Sequence, residues 1–163
     1  MVKKLITLLL TIIVCFSLCA CGKKISREEI LEKAEIIENI QEIQEWKKTD
    51  TDANCNGWSV RALQEAKHKN EAKFNETYIG NVYIITGLAC DIKDNYCMLG
   101  YGGYSDLAKG ITINKDGHIK VYLSSDELVN LSWGNEITVV GQFEKTDDEE
   151  CTAVITNAYI IEK

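Results

Sequence analysis

The ten residues Asn81-Val82-Tyr83-Ile84-Ile85-Thr86-Gly87-Leu88-Ala89-Cys90 set the architecture of the chain around them. Val82, Ile84, Thr86, Leu88 and Cys90 alternate with Tyr83, Ile85, Gly87 and Ala89, a period of two that predicts a strand. A glycine inside such a run marks a bulge or a sharp bend, so Gly87 predicts a strand that turns a corner. Lys93-Asp94-Asn95 forms a turn, and residues 96–101 continue as a second strand. Gly100, Gly102, Gly103 and Gly110 surround an irregular stretch. Residues 111–114 and 118–123 flank Lys115-Asp116-Gly117, and Asp-Gly between such arms is a hairpin signal. Ser124-Ser125-Asp126-Glu127 opens a short helix ending at Trp133-Gly134, with Leu128 and Leu131 facing inward. Residues 136–143 and 153–161 supply two more strands, separated by an acidic loop over 145–150.

Upstream of the first strand the period changes to that of helices. Ser59 as N-cap opens a helix that carries Val60, Leu63, Ala66 and Phe74 on one side and stops before Gly80. Residues 49–57 form a linker closing on Asn-Gly. Before it, Ser26-Arg27-Glu28-Glu29 has the form of a capping box. Ile30, Ala34, Ile37, Ile40 and Ile43 follow at spacings of three and four, which predicts one amphipathic helix to about Lys47. It either packs on the domain or serves as a partner-docking stalk. A lone apolar stripe is costly in water, which favours packing.

Five strands, the first bent, with a helix between the third and fourth, is the order of a five-stranded Greek-key barrel. Two motifs then resemble the tRNA_anti-like OB-fold family. Asn70-Glu71-Ala72-Lys73 leads through Tyr78-Ile79-Gly80 into the first strand, with Asn81 where the family often has lysine. Leu131-Ser132-Trp133-Gly134-Asn135-Glu136-Ile137-Thr138-Val139-Val140-Gly141 matches the second signature. The resemblance covers residues 60–163. It implies a mainly β fold with helices: a five-stranded OB-fold Greek-key barrel preceded by two helices. The motifs are structural in kind, since glycines serve bends and aliphatics fill the barrel. The family name reflects a fold relationship to anticodon-binding domains, and a fold alone carries no function.

The N-terminus carries an address. Met1-Val2-Lys3-Lys4 is basic, and residues 5–20 are apolar apart from Thr7, Thr11 and Ser17. A spanning helix needs roughly 20 apolar residues, and this run is shorter and ends on a small-residue cleavage pattern. Leu18-Cys19-Ala20-Cys21 looks like a bacterial lipobox, with small Ala20 before Cys21 and Leu18 three positions upstream of it. Residues 1–20 are therefore expected to be a lipoprotein signal peptide. Cys21 is expected to carry diacylglycerol and an N-acyl chain of the palmitate kind, anchoring the protein to the extracytoplasmic face of the cell membrane. Cleavage elsewhere would give a secreted protein instead. Residues 21–57 then form a lipidated N-terminus, helix and linker, and residues 58–163 the OB-fold domain with its leading helix.

The formal net charge is −7, and loss of Lys3 and Lys4 makes the mature chain more acidic still. An acidic surface repels phosphate backbones and anionic headgroups, so the expected partners are the membrane through the lipid anchor and an envelope protein or glycan, with no nucleic acid. Proline is absent, so no rigid spacer separates anchor from domain.

Chemistry-bearing residues are few. Cys55, Cys90, Cys97 and Cys151 remain beyond the anchor, and an even number in an exported chain invites disulfides. A four-residue loop over 92–95 would set Cys90 opposite Cys97, whereas a tighter turn would point them apart. Cys55 with Cys151 follows by elimination alone, and buried thiols packing as small hydrophobes are the alternative. No Cys-x-x-Cys exists, His68 lies on a charged helix face and His118 at a hairpin edge. Both histidines are expected to be solvated, and no metal and no cofactor are expected. Asp147-Asp148-Glu149-Glu150 lacks the spaced ligands and turn glycine of a calcium loop and is expected to be a solvated loop. No serine, cysteine or threonine stands in a recognisable motif with a histidine base, so no enzyme is expected.

Tyr83, Tyr96, Tyr101, Tyr104 and Tyr122 fall on or beside strands that OB folds use for binding, where rings stack on sugars or bases or anchor a protein. Ordinary aromatics covering a sheet face are the plain alternative. The expected function is a membrane-anchored, non-catalytic OB-fold module for a protein or glycan. The alternative is a structural or assembly lipoprotein that docks through its N-terminal helix.

Overall fold

The alternating runs form strands in the computed structural model of the protein, which describes residues 26–49, 55–105, 110–148 and 151–163. For residues 103–105, 110, 111 and 115–117 the backbone alone is described. The lipobox with Cys21 lies outside the described residues. In chain order the elements are α1 (Arg27–Lys33), β1 (Glu35–Ile36), a 3-10 turn (Ile37–Asn39), α2 (Gln41–Lys47), α3 (Trp58–Lys69) and α4 (Glu71–Tyr78). There follow β2 (Val82–Cys90), β3 (Tyr96–Ser105), β4 (Gly110–Tyr122), α5 (Ser125–Leu128), β5 (Glu136–Glu144) and β6 (Cys151–Glu162). Among the described residues no helix is long and apolar enough to cross a membrane.

β2, β3 and β4 form an antiparallel meander, β4 pairs with β6 in parallel, and β6 pairs antiparallel with β5. β5 returns to β2 and closes the barrel. This is the five-stranded OB-fold Greek key. β2 serves both sides of the closure: residues 82–88 pair with β5, and Leu88, Ala89 and Cys90 pair with β3. The change of partner falls beside Gly87. A Cβ there would stand 2.9 Å from Val60 Cγ2 and 3.0 Å from Leu99 Cβ, so glycine permits the close approach of α3 and β3 to the strand.

The interior follows the alternation. Tyr83, Ile85, Ala89, Cys97, Leu99, Ile119, Val121, Ile137, Val139, Phe143 and Ile155 fill the barrel. Val60 and Leu63 of α3, Phe74 and Tyr78 of α4, and Leu128 and Leu131 around α5 complete the same core. Each fully buried side chain of this kind contributes roughly 1.5–3 kcal/mol.

Four expectations are corrected. The N-terminal segment is not one helix. Ala34 leaves α1 with ψ 132°, and β1 pairs in parallel with β2 through Glu35↔Tyr83 and Ile36↔Ile84. Ile30 then packs on Val140 and Tyr159, Ile37 enters the main core, and Ile43 packs on Trp58 and Ala62. A straight helix could not reach three separate surfaces, so the chain exchanges helical hydrogen bonds for a short pairing on a sheet edge. The leading helix is likewise two. Asn70, with φ −160°, ends α3, and its Oδ1 accepts the Lys73 N–H at 3.0 Å to start α4. Gly57 takes the N-cap position of α3, while the Ser59 hydroxyl donates to Glu38 Oε1 at 2.8 Å.

The third correction concerns Lys115-Asp116-Gly117, which is no hairpin turn. β4 runs through it, and its pairing with β3 steps from Leu99↔Ile119 to Tyr101↔Asn114. Residues 115–118 therefore bulge opposite Gly100 alone. A Cβ on Gly100 would lie 2.6 Å from Ile113 Cγ2 and 2.9 Å from the Asn114 carbonyl, so the bulge closes down over a residue without a side chain. The predicted helix after Ser124 is also shorter, ending at Leu128.

Candidate functional site

With Cys97, Leu99, Ile119 and Val121 pointing into the barrel, the intervening residues of β3 and β4 stand on its outer face. Tyr96 and Tyr122 are directly opposite each other across these two strands. Their rings meet edge to face, with centroids 6.0 Å apart at 65°. Lys120 Nζ lies 5.3 Å from the centre of the Tyr96 ring and donates to Asp148 Oδ2 at 3.3 Å. Desolvation opposes the Lys120 charge, but the hydrogen bond to Asp148 together with the nearby Asp148, Cys151 and Tyr122 groups outweighs it and holds the ammonium above its ordinary range. Tyr122 is 40 % exposed, so the pair presents an apolar rim to solvent beside one bridged cation.

Farther along the same face Leu88, Cys90, Met98, Ile113 and Cys151 form a second buried cluster with Tyr96 at its edge. His118 crosses to it from β4. Its Cδ2 lies 3.5 Å from where a Gly100 Cβ would be, and its Nε2 is 3.6 Å from Cys90 Sγ. Asp91 follows Cys90 at the strand end with φ 44°, exposed. The Cys90 thiol, the Asp91 carboxylate and a His118 ring nitrogen all lie within 4.8 Å of one another.

The remaining sequence candidates fall elsewhere. Tyr83 is buried inside the barrel, edge-on to Phe143, and its hydroxyl donates to the Thr77 carbonyl at 3.0 Å. Burial and the Glu35 charge raise its pKa. Tyr101 is half-buried, and its hydroxyl accepts from Asn114 Nδ2 at 2.6 Å, bracing the β4 bulge. Tyr104 pairs through its backbone with Ile111, and its side chain lies outside the described residues. Among the described side chains the surface candidates are Tyr96 and Tyr122, and Lys120 and Asp148 join them.

No bond joins Cys90 to Cys97. The Lys93 N–H donates to the Tyr96 carbonyl at 2.9 Å, and this tight turn pairs Cys90 with Met98. Cys97 is consequently one residue out of register and faces the interior, where burial, with Cys90 nearby, pushes its thiol up to about 12. Cys55 and Cys151 are likewise not joined. His118, expected at a solvated edge, is instead 5 % exposed, because the bulge lays it over Gly100. His68 is exposed as expected. The alternation could show which residues share the outer face, but no local signal could bring Cys90 and His118 together.

The family model described as tRNA_anti-like matches residues 1–155, which extends the resemblance back through the N-terminal segment. A solved structure of a lipoprotein from Klebsiella pneumoniae subsp. pneumoniae MGH 78578, provisionally described as nucleic acid-binding, is similar at 19 % identity. The likeness covers 63 % of this chain and 88 % of that one, with a TM-score of 0.45. No curated protein matches the chain. The expectation that nucleic acid is excluded as a partner is overturned, since the matching family carries a tRNA-related description. Net charge averages over a whole surface, whereas a ligand meets one face of it.

Proposed function

This chain belongs to the tRNA_anti-like family, and from that premise we propose that it is a non-catalytic binding module, held at the extracytoplasmic face of the membrane by lipid on Cys21. Its ligand is a glycan or protein of the cell envelope, taken on the Tyr96–Lys120–Tyr122 face. One observation carries this reading: the edge-to-face tyrosine pair, exposed at Tyr122, stands on β3 and β4. These are the second and third strands of the barrel, the face on which OB folds bind oligosaccharides and oligonucleotides. Tyrosine rings offer flat apolar surface with a hydroxyl at the rim, suited to a sugar ring or an apolar side chain. The thiol beside His118 is a poor nucleophile for any substrate, since Cys90 is 0 % exposed. Docking through the N-terminal segment has less support, because Ile30 and Ile37 are buried against the barrel and Ile43 against α3.

Calorimetric titration of the purified chain with soluble envelope glycan fragments, envelope extracts and single-stranded oligonucleotides tests the reading. Tyr122→Ala is expected to weaken glycan or protein binding by about 1–2 kcal/mol, roughly five- to thirty-fold, with little change in stability because the ring is partly solvated. Equal binding in Tyr96→Ala and Tyr122→Ala would remove this face as the site. Binding confined to oligonucleotides and lost in both variants would keep the face and overturn the ligand class.

A further inference from the structure

We infer that Cys90, Asp91 and His118 form a site for one zinc ion on the outer face of the barrel. The inference does not rest on the ligand proposed for the tyrosine face. Thiolate sulfur, imidazole nitrogen and carboxylate oxygen are the three protein donors zinc uses, and here all three lie within 4.8 Å of one another. The Cys90 Sγ to His118 Nε2 separation is 3.6 Å. Zinc bonds of about 2.3 Å to sulfur and about 2.0–2.1 Å to nitrogen, opened to a tetrahedral angle, place those ligand atoms about 3.6 Å apart. The two buried donors therefore already stand at the separation the ion requires.

The way they are brought together favours a site over chance packing. Cys90 is on β2 and His118 on β4, with β3 running between them. The imidazole spans that strand only because Gly100 lies beneath it and β4 bulges there. Donors mounted on paired strands keep their geometry better than donors on loops. Leu88, Met98 and Ile113 surround the thiol, and an apolar shell limits competing water. Charge also balances: one thiolate and one carboxylate neutralise a divalent ion, so the loaded site buries no net charge. Exposed Asp91 stands at the solvent edge and gives the ion a way in. A carboxylate beside sulfur and nitrogen suits zinc better than copper(I), which prefers soft donors throughout. Three protein donors leave a fourth position for water or a ligand atom, the pattern of open zinc sites. Coordination releases the Cys90 thiol proton to solvent, so affinity falls as pH falls.

Cobalt(II) reports such a site directly. The purified full chain, stripped with a chelator, is titrated with cobalt and then with zinc. One equivalent of cobalt should give a thiolate-to-cobalt charge-transfer band and intense tetrahedral visible bands, both erased by one equivalent of zinc. Cys90→Ala should abolish the charge-transfer band, Cys151→Ala should keep it, and Asp91→Asn should weaken cobalt binding about tenfold or more. Absence of the band in the unmodified chain overturns the site, as does its survival in Cys90→Ala with a native near-ultraviolet circular dichroism spectrum. Should Cys90→Ala fail to fold, exposed Asp91→Asn decides: unchanged cobalt affinity there overturns the assignment.

Discussion

Glu127 joins three segments that are far apart in the chain. Its Oε2 accepts from the Ser124 hydroxyl at 2.6 Å and the Ser124 N–H at 3.2 Å, completing the capping box of α5. Its Oε1 accepts the Ile160 N–H at 3.0 Å and faces Arg27 Nη2 at 3.6 Å. Burial opposes the charge, but the Ser124 and Ile160 donors outweigh it and hold the pKa below its ordinary 4.5. The stability it contributes is therefore complete above pH 4.5 and is lost as pH falls through the lower folded-state value. Glu127→Gln should cost about 1–3 kcal/mol at neutral pH. In urea titrations the gap to the unmodified chain should close in acid, and a gap constant with pH would contradict the carboxylate's role. The helix start was legible in Ser124-Ser125-Asp126-Glu127, but the reciprocal capping by Glu127 and its reach to Ile160 and Arg27 were not. The same holds for Cys90 and His118: spacing within the chain says nothing of what a barrel closes together.

At the scale of elements, period separated strand from helix well, and partner choice is what it missed. The runs 81–90, 136–143 and 153–161 lie within one or two residues of β2, β5 and β6, because one face of each is buried and alternation records burial. Gly87 stands where β2 begins to change partner from β5 to β3, with no room for a Cβ beside Val60 and Leu99. Lys115-Asp116-Gly117 misled, because turn chemistry is the same at a hairpin tip and in a bulge, and only the β3 register across Gly100 tells them apart. The N-terminal segment misled for a related reason: isoleucines spaced by three and four suit a helix face equally well when each is buried against a different partner. That burial has an energetic consequence. Ile37 is fully buried in the main core, so Ile37→Ala should cost about 2–5 kcal/mol in urea unfolding. A loss below about 1 kcal/mol would mean that the segment adds little to the barrel's stability.

For the whole molecule, the proposed anchor and the acidic barrel must work together at a surface. Two or more acyl chains hold a protein stably, and one does so only marginally. Cys21→Ala should therefore move the protein from the membrane pellet to the soluble fraction after a high-salt wash, and continued pelleting would contradict lipidation at that residue. Molecules tethered to one membrane meet their own kind at high local concentration, and an open strand is then a template for polymerisation. The first half of β2 has β5 on one side, and on the other lie the two residues of β1. By occupying that edge, Glu35 and Ile36 deny it to a neighbouring copy and help keep a crowded layer of these domains as separate units.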